Sequence, residues 1–326
     1  MDLFLRRFTP KLGTYPEHKP CAPSKARLLE RRLGSQRKLK EDESEVVRNF
    51  HSSKWNHQHP IIQSGDSNRK MKPTGNTILI TGGGTGIGRG LAEAFHKLGN
   101  KVIIAGRRKQ VLYETTAANP GMASTVLNIE DPADIRKVAA QLAKDHPALN
   151  VVIHNAGIMR PENLLAQPET ADAEAIVTTN LLGPIRLTAA LLPQLQKQPH
   201  ATIVTVTSGL AFVPLAITPT YCATKAAIHS WSQSLRYQLK STNVEVVELA
   251  PPYVQTELMG SAQAADPRAM PLNDYINEVL EIIKTQPKAT EILVERVKPL
   301  RSAEHSGTER YAAFFNQFND AMNHPD

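Results

Sequence analysis

Cysteine is nearly missing: the 326 residues contain two, Cys21 and Cys222, far apart in the chain. They make neither a disulfide framework nor a metal site, so none is expected, and a reducing, cytoplasmic setting fits best. Long apolar runs are missing too. No stretch approaches the roughly 18 uncharged apolar residues of a membrane span. The apolar part of Met1-Asp2-Leu3-Phe4-Leu5 is too short for a secretory signal. A membrane partner is therefore not expected. Excess charge is absent from most of the chain. The formal net charge is +7, but residues 1–70 hold 15 Lys/Arg against 8 Asp/Glu, while the remainder holds 23 of each. A nucleic-acid footprint requires a basic stripe on a folded element, so nucleic acid is excluded as a partner. No internal repeat is visible.

What is present divides into three parts. Residues 1–70 are rich in Lys, Arg, His, Ser and Pro, with apolar residues of no sustained period. Such a composition cannot offset the entropy of ordering and predicts a disordered extension. A targeting peptide and an over-extended start ahead of Met71 are the alternatives, although Pro10, Pro16, Pro20 and Pro23 break any amphipathic helix there. Residues 71–302 form the expected folded domain. Residues 303–326, with Tyr311, Phe314, Phe315 and Phe318, form a polar tail or one amphipathic helix.

From Thr77 onward, short β-branched runs alternate with longer helical stretches. The pattern predicts strands at Thr77–Ile80, Lys101–Ala105, Ser124–Leu127, Val151–His154, Thr202–Thr207, Glu245–Leu249 and Glu291–Val294. Helices are expected at Ile87–Leu98, Lys109–Thr116, Pro132–Asp145, Glu169–Gln196, Tyr221–Lys240 and Asn273–Ile283. The alternation implies βαβ units, and the nearly continuous apolar strands imply a parallel sheet buried on both faces. The fold class is α/β: a doubly wound, Rossmann-type sheet of about seven strands.

Two constellations carry chemistry. The first is Thr81-Gly82-Gly83-Gly84-Thr85-Gly86-Ile87-Gly88, between the first strand and the first helix. Gly82 permits a tight turn, Gly86 lets backbone approach a pyrophosphate, and Gly88 lets the helix pack on the strand. The pyrophosphate would rest at the positive helix N-terminus. The second is Tyr221-Cys222-Ala223-Thr224-Lys225, which places a phenol and an ammonium on one helix face. A cation beside a phenol favours phenolate, so Lys225 is expected to lower the Tyr221 pKa and fit it for acid/base work. Ser208 follows a sheet strand, at the edge where ligands bind in open α/β folds. Its expected role is to orient the substrate oxygen. A lone Tyr-x-x-x-Lys pair occurs by chance on many surface helices; the ordered set of motifs does not.

The Thr-Gly-x-x-x-Gly-x-Gly spacing, with Ser208 and Tyr221/Lys225 behind it, resembles the short-chain dehydrogenase/reductase family. The resemblance runs from about Asn76 to about Arg301. Within the family the chain looks most like a bacterial subgroup named after the D-alanine transfer (teichoic acid) operon oxidoreductase. The resemblance implies Asn180 as a fourth catalytic residue, holding a water that connects Lys225 to solvent. It implies nicotinamide contacts for Tyr221, Lys225, Val254 and Thr256, and adenosine contacts for Asn128-Ile129 and Asn155-Ala156-Gly157. Gly106 stands where NAD-preferring members carry an acid, and Arg107 and Arg108 follow it, which favours NADP(H) and leaves NAD(H) possible. His154 replaces the usual Asn before Asn155 and is expected to be a core histidine with both nitrogens satisfied. Pro252 replaces the usual Gly after Pro251.

The function expected is hydride transfer between a nicotinamide cofactor and a small-molecule carbonyl or alcohol. A non-catalytic cofactor-binding sensor is the alternative. A sugar-nucleotide epimerase is disfavoured, because about seventy residues follow Thr256 and that class needs a larger C-terminal domain. The substrate is expected to meet Met159–Leu165, Phe212–Ile217 and Glu257–Leu272. A homodimer or homotetramer is expected, through apolar surplus on the two long helices: Leu191, Leu192, Leu195, Trp231 and Leu239.

Overall fold

The computed structural model describes residues 71–163, 165–166 and 170–323. The expectations for residues 1–70, for Leu164 and Glu169, and for 324–326 lie outside the described residues. Seven parallel strands form one sheet in the order β3-β2-β1-β4-β5-β6-β7. They are β1 (Thr77–Thr81), β2 (Lys101–Gly106), β3 (Ala123–Val126), β4 (Val151–His154), β5 (Ala201–Val206), β6 (Val244–Leu249) and β7 (Glu291–Ile292). The helices on its faces are α1 (Gly86–Lys97), α2 (Lys109–Ala118), α3 (Pro132–Asp145), α4 (Ala171–Val177), α5 (Gly183–Leu195) and α6 (Pro219–Gln238). Further along come α7 (Ser261–Ala265), α8 (Leu272–Thr285), α9 (Lys298–Ser302) and α10 (Thr308–Asn323).

The alternation of side chains along each strand divides the core in two. Ile78 and Ile80 of β1 join Leu91 and Phe95 of α1 and Val279 of α8 on one face. Leu79 joins Val138 of α3, Leu187 of α5 and Leu235 of α6 on the other. Ile78, Leu79 and Ile80 have no exposed surface, and each such side chain contributes roughly 1.5–3 kcal/mol relative to exposure. The doubly wound prediction is met. β3 starts and ends one residue earlier than expected, and β7 ends at Ile292 rather than Val294.

The long helix expected across Glu169–Gln196 runs without a gap from Ala171 to Leu195, with a change of hydrogen-bond pattern inside it. A π-turn at Thr178–Leu182 separates α4 from α5, and the Gly183 N–H reaches back to the Thr178 carbonyl. Pro184, just after this turn, has no N–H for the Asn180 carbonyl, whereas Pro193 is accommodated within the regular α5. Taken together, Ala171–Leu195 is long and apolar enough to cross a membrane by length and composition, a run the sequence reading passed over. In the fold its Ile176, Leu187, Leu191 and Leu195 are buried within the protein. The apolar surplus expected for subunit pairing is also spent inside the chain. Leu191, Leu195 and Leu239 are core residues, and Leu192 and Trp231 pack partly buried against them.

Sheet order changes direction between β1 and β4, since β1 leads outward to β2 and β3 while β4 leads the other way. The carboxyl ends of these strands flank the place where open α/β folds bind ligands.

Candidate active site

A cleft of about 820 Å³ opens at that place. Its lining brings together Thr81, Gly82, Gly84, Thr85, Gly86 and Ile87 from the glycine turn, Gly106, Arg107 and Arg108 after β2, and Ile129 after β3. Asn155, Ala156 and Gly157 follow from β4, then Ser208, Tyr221 and Lys225, and finally Val254 and Thr256 beyond β6. Gly88, Asn128 and Asn180 stand behind the lining.

The glycine turn is fixed from beneath. The Thr81 Oγ1 accepts from the N–H groups of Asn155 and Ala156, both at 3.0 Å, and the Asn155 amide donates to the Thr81 carbonyl at 3.0 Å. Gly82 has φ +66, a conformation that favours glycine. A Cβ at Gly88 would fall 2.3 Å from the Gly82 carbonyl oxygen and from Asn155 Nδ2, so the helix approaches the strand as the sequence predicted. Thr85 makes no side-chain cap to α1, and the first turn of α1 holds no acid. Its first N–H groups therefore face the cleft as an anion cradle.

The arginines beside the cleft are less free than their sequence suggests. Arg107 Nη1 donates to Glu130 Oε1 at 2.7 Å, and the Thr179 hydroxyl donates to the same oxygen at 2.8 Å. Arg108 Nη2 reaches Thr85 Oγ1 at 3.4 Å. A Cβ at Gly106 would meet only Leu112, at 3.7 Å, so packing does not demand glycine there. Asn128 builds its own turn: its Oδ1 accepts from the Glu130 N–H at 3.2 Å, and its N–H donates to Asp134 Oδ2 at 2.7 Å. Val254 and Thr256 are stapled by Gln263, whose Nε2 donates to the Val254 carbonyl at 2.8 Å and to Thr256 Oγ1 at 3.1 Å.

At the other end Tyr221 and Lys225 are buried on one face of α6. The Lys225 Nζ donates to the Val206 carbonyl at 2.8 Å and lies 5.4 Å from the centre of the Tyr221 ring. Desolvation lowers the Lys225 pKa to about 8. The Tyr221 phenol is not lowered, which corrects the expectation. Burial pushes it above the ordinary tyrosine range, the Cys222 thiol adds to the rise, and the Ser208 side chain pulls it partly back. The Ser208 Oγ is oriented by the Leu210 N–H at 3.1 Å. Asn180 is buried, and its amide is tied to the backbone of Ile158: Oδ1 accepts from the N–H and Nδ2 donates to the carbonyl, both at 2.9 Å. Its visible work is to pin the loop after β4. His154 is a core histidine, but with one nitrogen satisfied rather than two. Nε2 lies 2.8 Å from Thr188 Oγ1, Nδ1 has no partner, and burial lowers its pKa to about 4.

Sequence reasoning missed Glu130 and Thr179 beside the arginines and Arg89 in the cleft lining, and reached Glu162 and Gln263 only as members of longer segments. Glu162 accepts from the Thr220 N–H at 2.9 Å and from the Thr220 hydroxyl at 2.7 Å, capping the helix that carries Tyr221 from a loop 58 residues earlier. No local signal marks such a pair. α10 docks on the segment ahead of Tyr221, and Phe212–Ile217, expected to meet the substrate, is absent from the cleft lining. The Asn319 amide accepts from the Ala216 N–H at 2.6 Å and donates to the Pro214 carbonyl at 3.1 Å. Tyr311 donates to the Phe212 carbonyl at 3.2 Å, and Phe318 and Met322 pack against the cluster holding Tyr221, Cys222 and Leu215.

The model of the short chain dehydrogenase family matches residues 76–267, the stretch that holds the glycine turn, Ser208, Tyr221 and Lys225. The chain belongs to the short chain dehydrogenase family. It is 41% identical over 258 residues to "Uncharacterized oxidoreductase DltE" of Bacillus subtilis (strain 168), covering 78% of this chain and 100% of that one. Among solved structures, it resembles a short chain dehydrogenase from Burkholderia cenocepacia J2315 in complex with NADP. That match has TM-score 0.62 and 22% identity, over 72% of this chain and 94% of the other. A short chain dehydrogenase/reductase from Burkholderia phymatum in complex with NAD gives TM-score 0.62 and 20% identity, over 71% and 94%. The family is one of oxidoreductases acting on small molecules, and the subgroup resemblance read from the sequence is met by the B. subtilis relative.

Proposed function

We propose that this oxidoreductase uses NADP(H) and acts on a small-molecule carbonyl or alcohol, with Tyr221 as general acid/base. The observation that carries this reading is one continuous cleft joining the glycine turn to Ser208, Tyr221 and Lys225. When bound, a nicotinamide supplies or accepts the hydride. The residues present fit such a group: the uncapped, acid-free first turn of α1 suits a pyrophosphate, and Arg107 and Arg108 suit a 2′-phosphate. Gly106 brings no carboxylate to repel that phosphate, and the B. cenocepacia relative was solved with NADP. NAD(H) is the second cofactor of this reading.

Tyr221 holds its proton on Oη at neutral pH, because burial disfavours the phenolate. A phenol so protonated is ready to donate to a carbonyl oxygen, the reduction direction. Ser208 orients that oxygen. Lys225 places positive charge beside the phenolate that donation leaves behind. In this reading Asn180 contributes by fixing the loop at Ile158. A cytoplasmic setting belongs to the same reading, supported by the free, buried Cys222, as does pairing with a second copy, for which α6 offers the exposed Tyr237.

The test is Tyr221→Phe. Turnover of a carbonyl compound that the parent reduces should fall by about 100-fold or more, with NADPH affinity, measured by fluorescence titration, within about twofold. Near-parental turnover would overturn the assignment.

A further inference from the structure

Behind Ser208 lies a charge cluster that this chemistry does not use. Glu248 of β6 is fully buried. Its Oε1 accepts from the Thr207 hydroxyl at 2.8 Å, and His229 Nδ1 lies 2.8 Å from its Oε2. Thr207 precedes Ser208. The Thr207 N–H donates to the Leu249 carbonyl at 2.9 Å and the Gly209 N–H to the Pro251 carbonyl at 2.8 Å. The backbone on both sides of Ser208 is thus fastened to the end of β6, and Glu248 adds a side-chain fastening. His229 stands four residues after Lys225 and eight after Tyr221, so the three share one face of α6.

A buried carboxylate is costly unless a cation faces it. The groups facing His229 are Glu248 from β6, Glu291 from β7 and Arg301 from α9. The Phe212 ring lies edge-on at 4.9 Å, and the Gln233 amide nitrogen of α6 stands 2.9 Å from Nε2, where a protonated ring requires the amide to turn and accept through its oxygen. Arg301 is committed elsewhere, donating to both oxygens of Glu291 at 2.8 and 3.1 Å. His229, Glu248 and Glu291 bring their ligand atoms within 4.8 Å of one another, but Arg301 already supplies Glu291 with the positive charge that a metal would bring. Arg301 acts on Glu248 only at longer range, and His229 is the group in contact with it. The bond to Glu248 raises the His229 pKa above its ordinary value of 6.5.

We propose that His229 and Glu248 are positioning residues: the protonated imidazole neutralises Glu248, and Glu248, through Thr207, holds Ser208 in register with the Tyr221 phenol. The inference rests on the roles given above to Ser208 and Tyr221. It predicts that the catalytic step weakens as His229 loses its proton, while cofactor binding does not change.

The experiment uses the full chain and Glu248→Gln, which keeps shape and an acceptor but removes the charge. Histidine resonances are followed by NMR, with His229 assigned by its loss in His229→Gln, together with the Cζ resonance of labelled Tyr221, assigned by its loss in Tyr221→Phe. In the parent the Tyr221 signal should follow the His229 titration, at a pH above the ordinary histidine value. In Glu248→Gln, His229 should titrate lower and the Tyr221 signal should stay flat. This arm requires no turnover, so it stands or falls separately from the oxidoreductase reading. In the kinetic arm, kcat for carbonyl reduction should fall about tenfold, with the KM for NADPH within about twofold. If Glu248→Gln does not fold, Thr207→Val should lower kcat while leaving the His229 titration as in the parent. An unshifted His229 in Glu248→Gln, a Tyr221 signal indifferent to it, or parental kcat in a folded variant would overturn the proposal.

Discussion

The two ends of the cleft handle charge in opposite ways. At the glycine-turn end the Arg107 side chain is 53% exposed and holds its charge against a partly exposed Glu130. At the tyrosine end Lys225 is 5% exposed, with a backbone carbonyl as its hydrogen-bond partner. An exposed ion pair is worth little to the fold and is easily exchanged for another anion. A buried ammonium destabilises the fold and keeps a reactive pKa. In the proposed reading, the contrast separates recognition, done with charges that cost the fold little, from chemistry, done with one that costs it more.

The strongest way to break that contrast is Lys225→Met. Turnover should fall by about 100-fold or more, yet the cofactor-free protein should become more stable. Its folded pKa of about 8 lies below the unfolded value of 10.5. The unfolded chain therefore binds the extra proton between those values, and parental stability rises with pH across that window. At pH 7 the buried charge costs about 3 kcal/mol, at about 1.4 kcal/mol per unit. Denaturant unfolding at neutral and alkaline pH should show the variant gaining most at neutral pH, with the gain shrinking as pH rises. A variant less stable than its parent at neutral pH would show that Lys225 is held by more than its carbonyl.

The next largest effect belongs to the glycine-turn end. Gly88→Ala places a methyl 2.3 Å from a backbone oxygen, and should cost about 1–3 kcal/mol and weaken NADPH binding more than it changes kcat. Unchanged thermal stability would mean that the turn has slack. Arg107→Ala should lower NADPH affinity about tenfold, or about 1.4 kcal/mol, and leave NADH affinity unchanged; equal losses for both cofactors would remove the 2′-phosphate role. The smallest change is Glu130→Gln. It releases Arg107 from its anion and should raise NADPH affinity about threefold. A decrease would make Glu130 a support of the arginine and not its competitor.

How much of this was legible depends on the distance over which each fact is encoded. The strands are written locally, as β-branched runs closed by Gly and Asn, and all seven were placed with errors of a residue or two. The glycine turn and the Tyr221/Lys225 spacing are equally local. What escaped was what chain reversal brings together. Arg107 and Glu130 are 23 residues apart, and Glu162 and Thr220 are 58 apart. The direction of the Tyr221 shift was misread for the same reason: the nearby cation is visible in sequence, whereas the depth of burial is a property of the assembled cleft. The π-turn at Thr178–Leu182 left no distinctive mark, because Pro184 and Pro193 both lack a donor and only the first lies beside such a turn. Glu248 did leave a trace: an acid in a strand reading as buried on both faces demands a partner.

The docking of α10 carries a consequence for which parts of the site can change separately. The helix lies beyond residues 76–267, where the family model matches, yet it holds the Pro214–Ala216 segment through Asn319 and packs Phe318 and Met322 beside Tyr221. Neither Pro214–Ala216 nor any residue of α10 lines the cleft, so α10 braces the entry to the Tyr221 helix from outside, from a part of the chain separate from the glycine turn. In the proposed reading, a change in that last helix reaches Tyr221 through its packing and leaves the glycine turn untouched.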